Sequence, residues 1–558
     1  LGLRIGKYHL KRKNMKSKLI ILALLLGSMM LFGSCEDYLD ETADKSGNAY
    51  IYHMDQLYGL TGQANLYLGG VNSSASSARF EVGEFMQEQY LMGDGVSVSP
   101  DFYSKGMPMY FLQMQCAYPL YCWSEFSLKN DNMVADMTWK RVWERVYTFN
   151  TVLENMDKVI QTTPAIRAQV EGEARFGRAF YHFLLLTQYC QWEENAPGIG
   201  YREDTDPTRI PERQTVAYTL EKVYEDLRLA EDALKRAGRT TFDFEFNTRP
   251  TVPTVQALRA RIALYRGDYE TALINAENAL SGNGELVNVA TDPNNALTPA
   301  QPVVYCNEDG TPDMSTMKFI SYPLTQMGLY NQSVVSFREL YLPCMSNNIT
   351  TWGVPISESF YNLFTDKEND ARWTYFYDNN SPLMFCTGLL EYNEQGMATI
   401  SWATQQWLKS WDLCSHWHFM SQFGATQIVG MTTAEMYLTQ AECLARKGLT
   451  GDAAEVLKML RRARFTDQVA AENIGGTVQE VLDERSREMG PFWRFFEMKR
   501  LNGAENAGIE LRRKILSNPS DPNSVTELVI PANDPRWALP FYATECELMG
   551  WEQNEGWE

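Results

Sequence analysis

The chain has 558 residues, with 50 Lys and Arg against 70 Asp and Glu, a formal charge of −20. This acidity excludes a nucleic-acid-binding role, which depends on Lys and Arg neutralising phosphates, and it excludes docking on anionic lipid by charge alone. With 44% hydrophobic and 12% aromatic residues, the chain is long and apolar enough to bury a large core.

The first element is an apolar run from Leu19 to Phe32. It is preceded by Lys11, Arg12, Lys13, Lys16 and Lys18 and ends at Gly33-Ser34-Cys35. A membrane-spanning helix needs about 20 apolar residues, so this run of 14 reads as a secretory signal. Met15 is the natural start, with residues 1–14 an upstream extension. The Gly-Ser-Cys end resembles the lipobox of bacterial lipoproteins. That resemblance implies that Cys35 is acylated and becomes the mature N-terminus. Cleavage would remove seven Lys or Arg and no acid, leaving lipid as the sole membrane attachment. Residues 1–34 are thus expected to be a signal, and 35–558 a single domain. The nine cysteines after Cys35 are scattered without a C-x-x-C and do not read as a disulfide framework.

Helical periodicity dominates four stretches. In 138–158, Trp139, Val142, Trp143, Val146 and Tyr147 form one stripe. From Pro164 to about Cys190 there are two: Val170, Ala174, Gly177, Tyr181 and Leu184, and Phe176, Phe180 and Phe183. Two stripes require packing between neighbours. A third stretch starts with Val216, Leu220, Val223 and Leu227. It continues as a pair, 253–266 and 269–280, that turns at Gly267-Asp268 and resembles a tetratricopeptide hairpin. The fourth, 432–447 then 453–464, repeats that design. The expected class is mainly α, a tetratricopeptide-like α-solenoid with large loop-rich insertions and minor β. The scaffold lies mainly in 138–280 and 430–500. The insertions, mainly 71–131 and 281–425, are rich in Gly, Pro, Asn and aromatics and are expected to face ligand. Residues 193–212 and 515–535 read as Pro/Asp-rich connections.

Several segments resemble the SusD/RagB family of Bacteroidetes surface lipoproteins when taken in order. They are Cys35-Glu-Asp-Tyr-Leu-Asp40, W-E-R-V-Y-T-F-N-T-V-L (143–153), E-A-R-F-G-R-A-F-Y-H-F-L (173–184), R-P-T-V-P-T-V-Q-A-L-R-A-R-I-A-L-Y-R-G-D-Y (249–269), A-E-M-Y-L-T-Q-A-E (434–442), E-R-S-R-E-M (484–489) and W-E-Q-N-E-G-W (551–557). Thr432-Thr433 and Gly490-Pro491-Phe492-Trp493 depart from the family pattern at scaffold positions. The resemblance implies a lipid-anchored protein of the outer membrane that faces the exterior. It would capture oligo- or polysaccharide and pass it to a SusC-like TonB-dependent transporter. Rival readings are a peptide or glycopeptide cargo, a glycan-cleaving enzyme, and a solenoid that binds only protein.

Motifs for chemistry are lacking. There is no H-E-x-x-H, G-x-S-x-G or G-x-x-x-x-G-K-[ST], so neither cofactor nor metal is expected. Catalytic residues are not expected either; Glu484, Arg485, Glu488 and Arg494 read as paired structural charges. Aromatics are the better lead, because a sugar ring offers an apolar face to a ring and polar edges to hydrogen-bonding groups. Trp123, Tyr121, Trp352, Trp417 and His418 are the candidate carbohydrate-binding residues.

Overall fold

The computed structural model describes residues 51–63, 66–67, 91–97, 120–124, 137–242, 249–292, 300–320, 338–342, 344–347, 356–378, 390–410, 418–419, 426–518, 521, 523–541 and 543–557. Helix α1 (Met54–Thr61) is followed by α2 (Met137–Asn155), α3 (Pro164–Tyr189), α4 (Val216–Arg236), α5 (Val252–Tyr265) and α6 (Tyr269–Gly282). Next come β1 (Gln301–Cys306), β2 (Pro312–Ile320), β3 (Met345–Asn347), α7 (Glu358–Asn362), α8 (Ala371–Phe376), β4 (Tyr377–Asp378), β5 (Leu390–Tyr392), β6 (Ala398–Ile400), α9 (Trp402–Ser410), β7 (His418–Phe419) and β8 (Thr426–Ile428). The last part holds α10 (Thr433–Arg446), α11 (Thr450–Arg462), α12 (Gln468–Ala471), α13 (Val478–Met489), α14 (Arg494–Glu505), β9 (Leu511–Leu516), β10 (Val525–Ile530) and α15 (Ala543–Met549).

Local chemistry sets the helix starts. Thr163, Thr215, Asp268 and Thr432 each accept a backbone N–H of the first turn, satisfying donors that a helix leaves unpaired. Pro164 opens α3, where its missing N–H costs nothing. The α5–α6 and α10–α11 pairs turn at Gly267 (φ +74°) and Gly448 (φ +77°), a left-handed conformation that Gly adopts without strain. The second pair thus repeats the first in its turn chemistry as well as its spacing.

These helices stack nearly in chain order: α2 on α3, α3 on α4, α5 on α6, α6 on α10 and α10 on α11. Both stripes of α3 are buried, with Val170, Ala174, Phe176, Phe180, Tyr181, Phe183 and Leu184 all in the core. The stripe on α2 is narrower than its sequence implies. Trp139, Val142 and Val146 are buried and Trp143 half-buried, while Tyr147 stands 51% exposed. One contiguous apolar cluster runs from Met54 to Trp557 and takes in the first insertion's Leu91, Met92 and Tyr121.

The second insertion leaves after α6 and returns at α10, which is packed against α6. Asn283 closes this neck. Its Nδ2 donates to Arg338 O at 2.8 Å and to Thr433 Oγ1 at 3.3 Å, while Thr433 N–H donates to Glu339 O. A long excursion between adjacent helices costs little more entropy than a short one, so the stack tolerates it. Within it, β2-β1-β6-β5 form a four-stranded sheet in that order, with β1–β6 parallel and the outer pairs antiparallel. Residues 515–535 are a corrected expectation. Part of that stretch is the antiparallel hairpin β9–β10 (Leu516 opposite Val525), and its turn is held by Ser517 N–H on Ser524 O.

Ala272 is fully buried between the paired helices, against Ala263, Leu264 and Cys443. Ala272→Asp would place a carboxylate there without a partner, and the expected loss is about 3–5 kcal/mol of stability by urea unfolding. A loss under about 1 kcal/mol would show that the helices are not packed at this seam.

Candidate ligand-binding surface

The first insertion is seated on the corner between α13 and α14, and the second insertion meets it there. The first foot, residues 91–97, lies flat on that corner. A Cβ at Gly93 would sit 2.7 Å from Phe495 N, and one at Gly95 would sit 2.6 Å from Pro491 Cβ. Only glycine permits this approach. Between them, Asp94 takes both guanidinium arms of Arg494, at 2.7 and 2.8 Å. The second insertion meets the same foot. Val96 bridges Ile356 antiparallel, Ser357 N–H donates to Gly95 O at 2.9 Å, and Ser357 Oγ donates to Asp94 O at 2.6 Å. Residues 91–97 of the first insertion and residues 356–357, midway along the second, thus meet beside the α13–α14 corner.

Two candidate aromatics serve a different purpose from the one expected. Trp123 is 1% exposed, and its ring sits edge-on to Trp537 at 4.8 Å and beside Phe495 at 6.1 Å. Arg536 Nη1 donates to its carbonyl at 2.8 Å. Tyr121 is also 1% exposed, with the Arg513 guanidinium 4.2 Å from its ring centre. A sugar cannot stack on faces already covered by protein. These two residues anchor the far end of the first insertion in the core, which corrects their assignment as stacking plates. Trp352, Trp417 and Cys35 lie outside the described residues. For His418 only the backbone is described, as a strand residue opposite Asp378.

The second insertion exposes aromatics that sequence reasoning did not single out. Phe319 on β2 is 66% exposed, Tyr392 on β5 60% and Trp402 at the start of α9 40%. Phe319 pairs with Pro302, whereas Tyr392 shares the adjacent row of Ala398, Val303 and Lys318. Adjacent rows point to opposite faces, so Phe319 and Tyr392 do not make one platform. The available signal was an edge strand flanked by turn residues, with Phe319 beside Lys318.

The acids that could suggest hydrolysis are consumed in buried ion pairs. Glu484 accepts from Arg372 at 2.7 Å, Arg487 at 2.7 Å and Arg461 at 3.1 Å. Burial alone would raise its pKa, but the three guanidinium charges together outweigh that and hold it far below the ordinary carboxylate range. Glu488 bonds Arg464 and Arg372, and Glu497 bonds Arg485 and Arg500. His182 is equally committed. Its Nδ1 donates to Arg178 O at 2.7 Å, while Nε2 accepts the Arg202 N–H at 3.0 Å. Burial lowers its pKa to about 3, so it stays neutral and structural. Among the described residues, no group of three or more His, Cys, Asp or Glu is placed to hold a metal ion, and no helix is long and apolar enough to cross a membrane.

A family model described as starch-binding associating with outer membrane, SusD-like, matches residues 111–264, and the SusD family model matches residues 418–538. The chain belongs to the SusD/RagB family. None of the curated proteins matches it. Among solved structures it is similar to a SusD superfamily protein from Bacteroides thetaiotaomicron, with 18% identity and TM-score 0.54, covering 90% of this chain and 99% of that one. It is likewise similar to a putative sugar binding protein from Bacteroides vulgatus, with 15% identity and TM-score 0.56, covering 92% and 100%. A laminarin binding SusD-like protein matches with 13% identity and TM-score 0.51, covering 91% and 100%. At such identities the likeness is one of fold.

Trp123→Ala is expected to cost about 3–5 kcal/mol in chemical unfolding, as for a large aromatic removed from a core. Tyr392→Ala should cost less than about 0.5 kcal/mol, as for an exposed side chain. Equal costs for the two would contradict the assignment of Trp123 as an anchor.

Proposed function

We propose that this SusD/RagB-family protein is a cell-surface lipoprotein that captures oligo- or polysaccharide and delivers it to a SusC-like TonB-dependent transporter. The observation that carries the reading is the contact between the two loop-rich insertions, where residues 356–357 pair with residues 94–96 that are seated on the α13–α14 corner. It gives a soluble scaffold a fixed base for two ligand-reading loops. A family described as starch-binding and outer-membrane-associated supports both the cargo class and the location. The Gly33-Ser34-Cys35 ending supports attachment by lipid on Cys35, with the body facing the exterior. Non-catalytic capture is favoured because Glu484, Glu488 and Glu497 are neutralised by guanidinium partners and withdrawn from water.

Trp352, Trp417 and His418 are retained as ligand candidates. Trp352 precedes Ile356 by four residues in the sequence. Stacking one ring on a sugar buries roughly 40–60 Å² of apolar surface, about 1–1.5 kcal/mol. Several such contacts are needed for micromolar affinity.

The test is affinity electrophoresis of the 35–558 chain through gels holding starch, laminarin and other soluble polysaccharides, with product analysis of the same incubations. The expected result is retardation by at least one glycan without release of shorter sugars. Trp352→Ala or Trp417→Ala should weaken that binding about ten-fold at an unchanged melting temperature. Release of products, or no retardation by any glycan in a broad panel, would overturn the reading. For the anchor, Cys35→Ala should move the protein from the membrane to the soluble fraction.

A further inference from the structure

Away from the α13 lattice, a second polar cluster lies where α1, the end of α4 and the start of α5 gather on α3. Glu173, on α3 and fully buried, is its centre. Its Oε2 accepts from Arg249 Nη1 at 2.6 Å and from Thr61 Oγ1, and its Oε1 accepts from Gln169 Nε2 at 2.7 Å. Arg249 also donates to Tyr58 O at 2.9 Å and stacks over the Tyr58 ring. Burial raises the Glu173 pKa, and Arg249, Thr61, Gln169 and Arg239 act against that rise.

Two donors around this carboxylate have no acceptor. Tyr67 is 2% exposed and stacked on Tyr181, yet its hydroxyl bonds nothing among the described residues. The same charges act on it: burial raises its pKa, Glu173 and Cys344 raise it further, and Arg249 opposes them. Arg239 is half-buried just beyond α4. Its backbone is fixed, with its N–H on Leu234 O and its carbonyl accepting the Val252 N–H, each at 2.9 Å. Its Nε is closed off from water, and its guanidinium makes no hydrogen bond, ion pair or ring contact among the described residues. A buried donor without an acceptor is costly, and two of them at one cluster call for a shared acceptor. The cluster also sets two guanidinium groups against one carboxylate, a local positive excess in a chain of net charge −20.

We propose that Arg239 and Tyr67 form a binding site for one carboxylate group, the Arg239 fork taking its two oxygens and the Tyr67 hydroxyl donating as a third contact. A planar fork matches a planar carboxylate, and a single negative charge closes the local balance. A phosphate monoester would bring about −1.5 to −2 charges at neutral pH and exceed it. Arg249 and Glu173, already committed to each other, wall the site and are not its ligands. The carboxylate belongs to a small organic acid or to the uronate of an acidic sugar. The site stands apart from the insertions and does not rest on their reading of glycan.

Saturation-transfer difference NMR on the 35–558 chain tests this, with acetate and glucuronate as probes at an ionic strength held constant by sodium chloride. The variants are Arg239→Gln, Tyr67→Phe and the control Arg228→Gln, whose arginine pairs with Asp232 on the surface of α4. Acetate should give a saturable signal in the wild type and in Arg228→Gln. Half-saturation should rise at least about ten-fold in Arg239→Gln and about three-fold in Tyr67→Phe, as for loss of a charged and of a neutral contact. Melting temperatures should stay close to wild type, because neither side chain has a partner to lose and Tyr67→Phe keeps the stacked ring. Within that result, tighter binding of glucuronate than of acetate assigns the site to an acidic sugar, and the reverse to a small acid. No saturable signal from either probe, or the same half-saturation in Arg239→Gln as in the wild type, would overturn the proposal. An equal loss in Arg228→Gln would also overturn it, by showing a response to overall charge.

Discussion

The structure depends on a lattice of buried guanidinium and carboxylate groups centred on α13. Glu484 and Glu488 project from this helix to Arg372 on α8, Arg461 on α11 and Arg464 just beyond α11. Arg485, between them, turns to Glu497 on α14 and lies 3.7 Å from Glu435 on α10. Glu435 is held in turn by Arg261 on α5, and Glu442 on α10 by Arg500 on α14. Taking such charges out of water is costly, and the pairing offsets that cost only when each group keeps good partners. Every contact therefore constrains the next. The lattice says less about net stability than about register, since no member can shift without stranding a buried charge.

That constraint connects scaffold to surface. Glu339, at the neck of the second insertion, bonds Arg464, which also bonds Glu488. Arg372 comes from inside the same insertion. Arg494 begins α14 and holds Asp94 in the first insertion. The second insertion is thus fixed through charged groups to α13, and the first to α14. A surface that binds a weakly adhesive, flexible polymer gains from such preorganisation, because less ordering entropy is lost on binding.

Much of the scaffold was legible because its signals are local. The expected pairs 253–266 with 269–280 and 432–447 with 453–464 match α5–α6 and α10–α11 within a few residues at their ends. Spacing of apolar residues, a capping Thr or Asp and a turn Gly all lie within one hairpin. Glu484, Arg485, Glu488 and Arg494 were legible as structural charges, though Arg372, which pairs with Glu484 and Glu488, and Asp94, which pairs with Arg494, lie more than 100 residues away and gave no hint. Trp123 and Tyr121 were misread for the same reason. Their sequence neighbourhood includes Ser124 and Glu125, which suggested a wet surface, but the groups that cover them are Trp537 and Arg513, roughly 400 residues onward. Phe319 and Tyr392 sit on the two edge strands of the sheet, whose pairing is set by distant segments and not by their own alternation, so their exposure was not readable.

The central claim is that one charge lattice makes scaffold and insertion bases a single body. Hydrogen exchange of Glu484→Gln against wild type tests it most directly. Neutralising Glu484 leaves Arg372, Arg461 and Arg487 facing one another, and a broken buried pair of this kind costs about 3–5 kcal/mol. The account predicts lost protection in α8, α11 and α13 together, and also in the insertion feet 91–97 and 356–360. Loss confined to α13, with the feet as protected as in wild type, would contradict it.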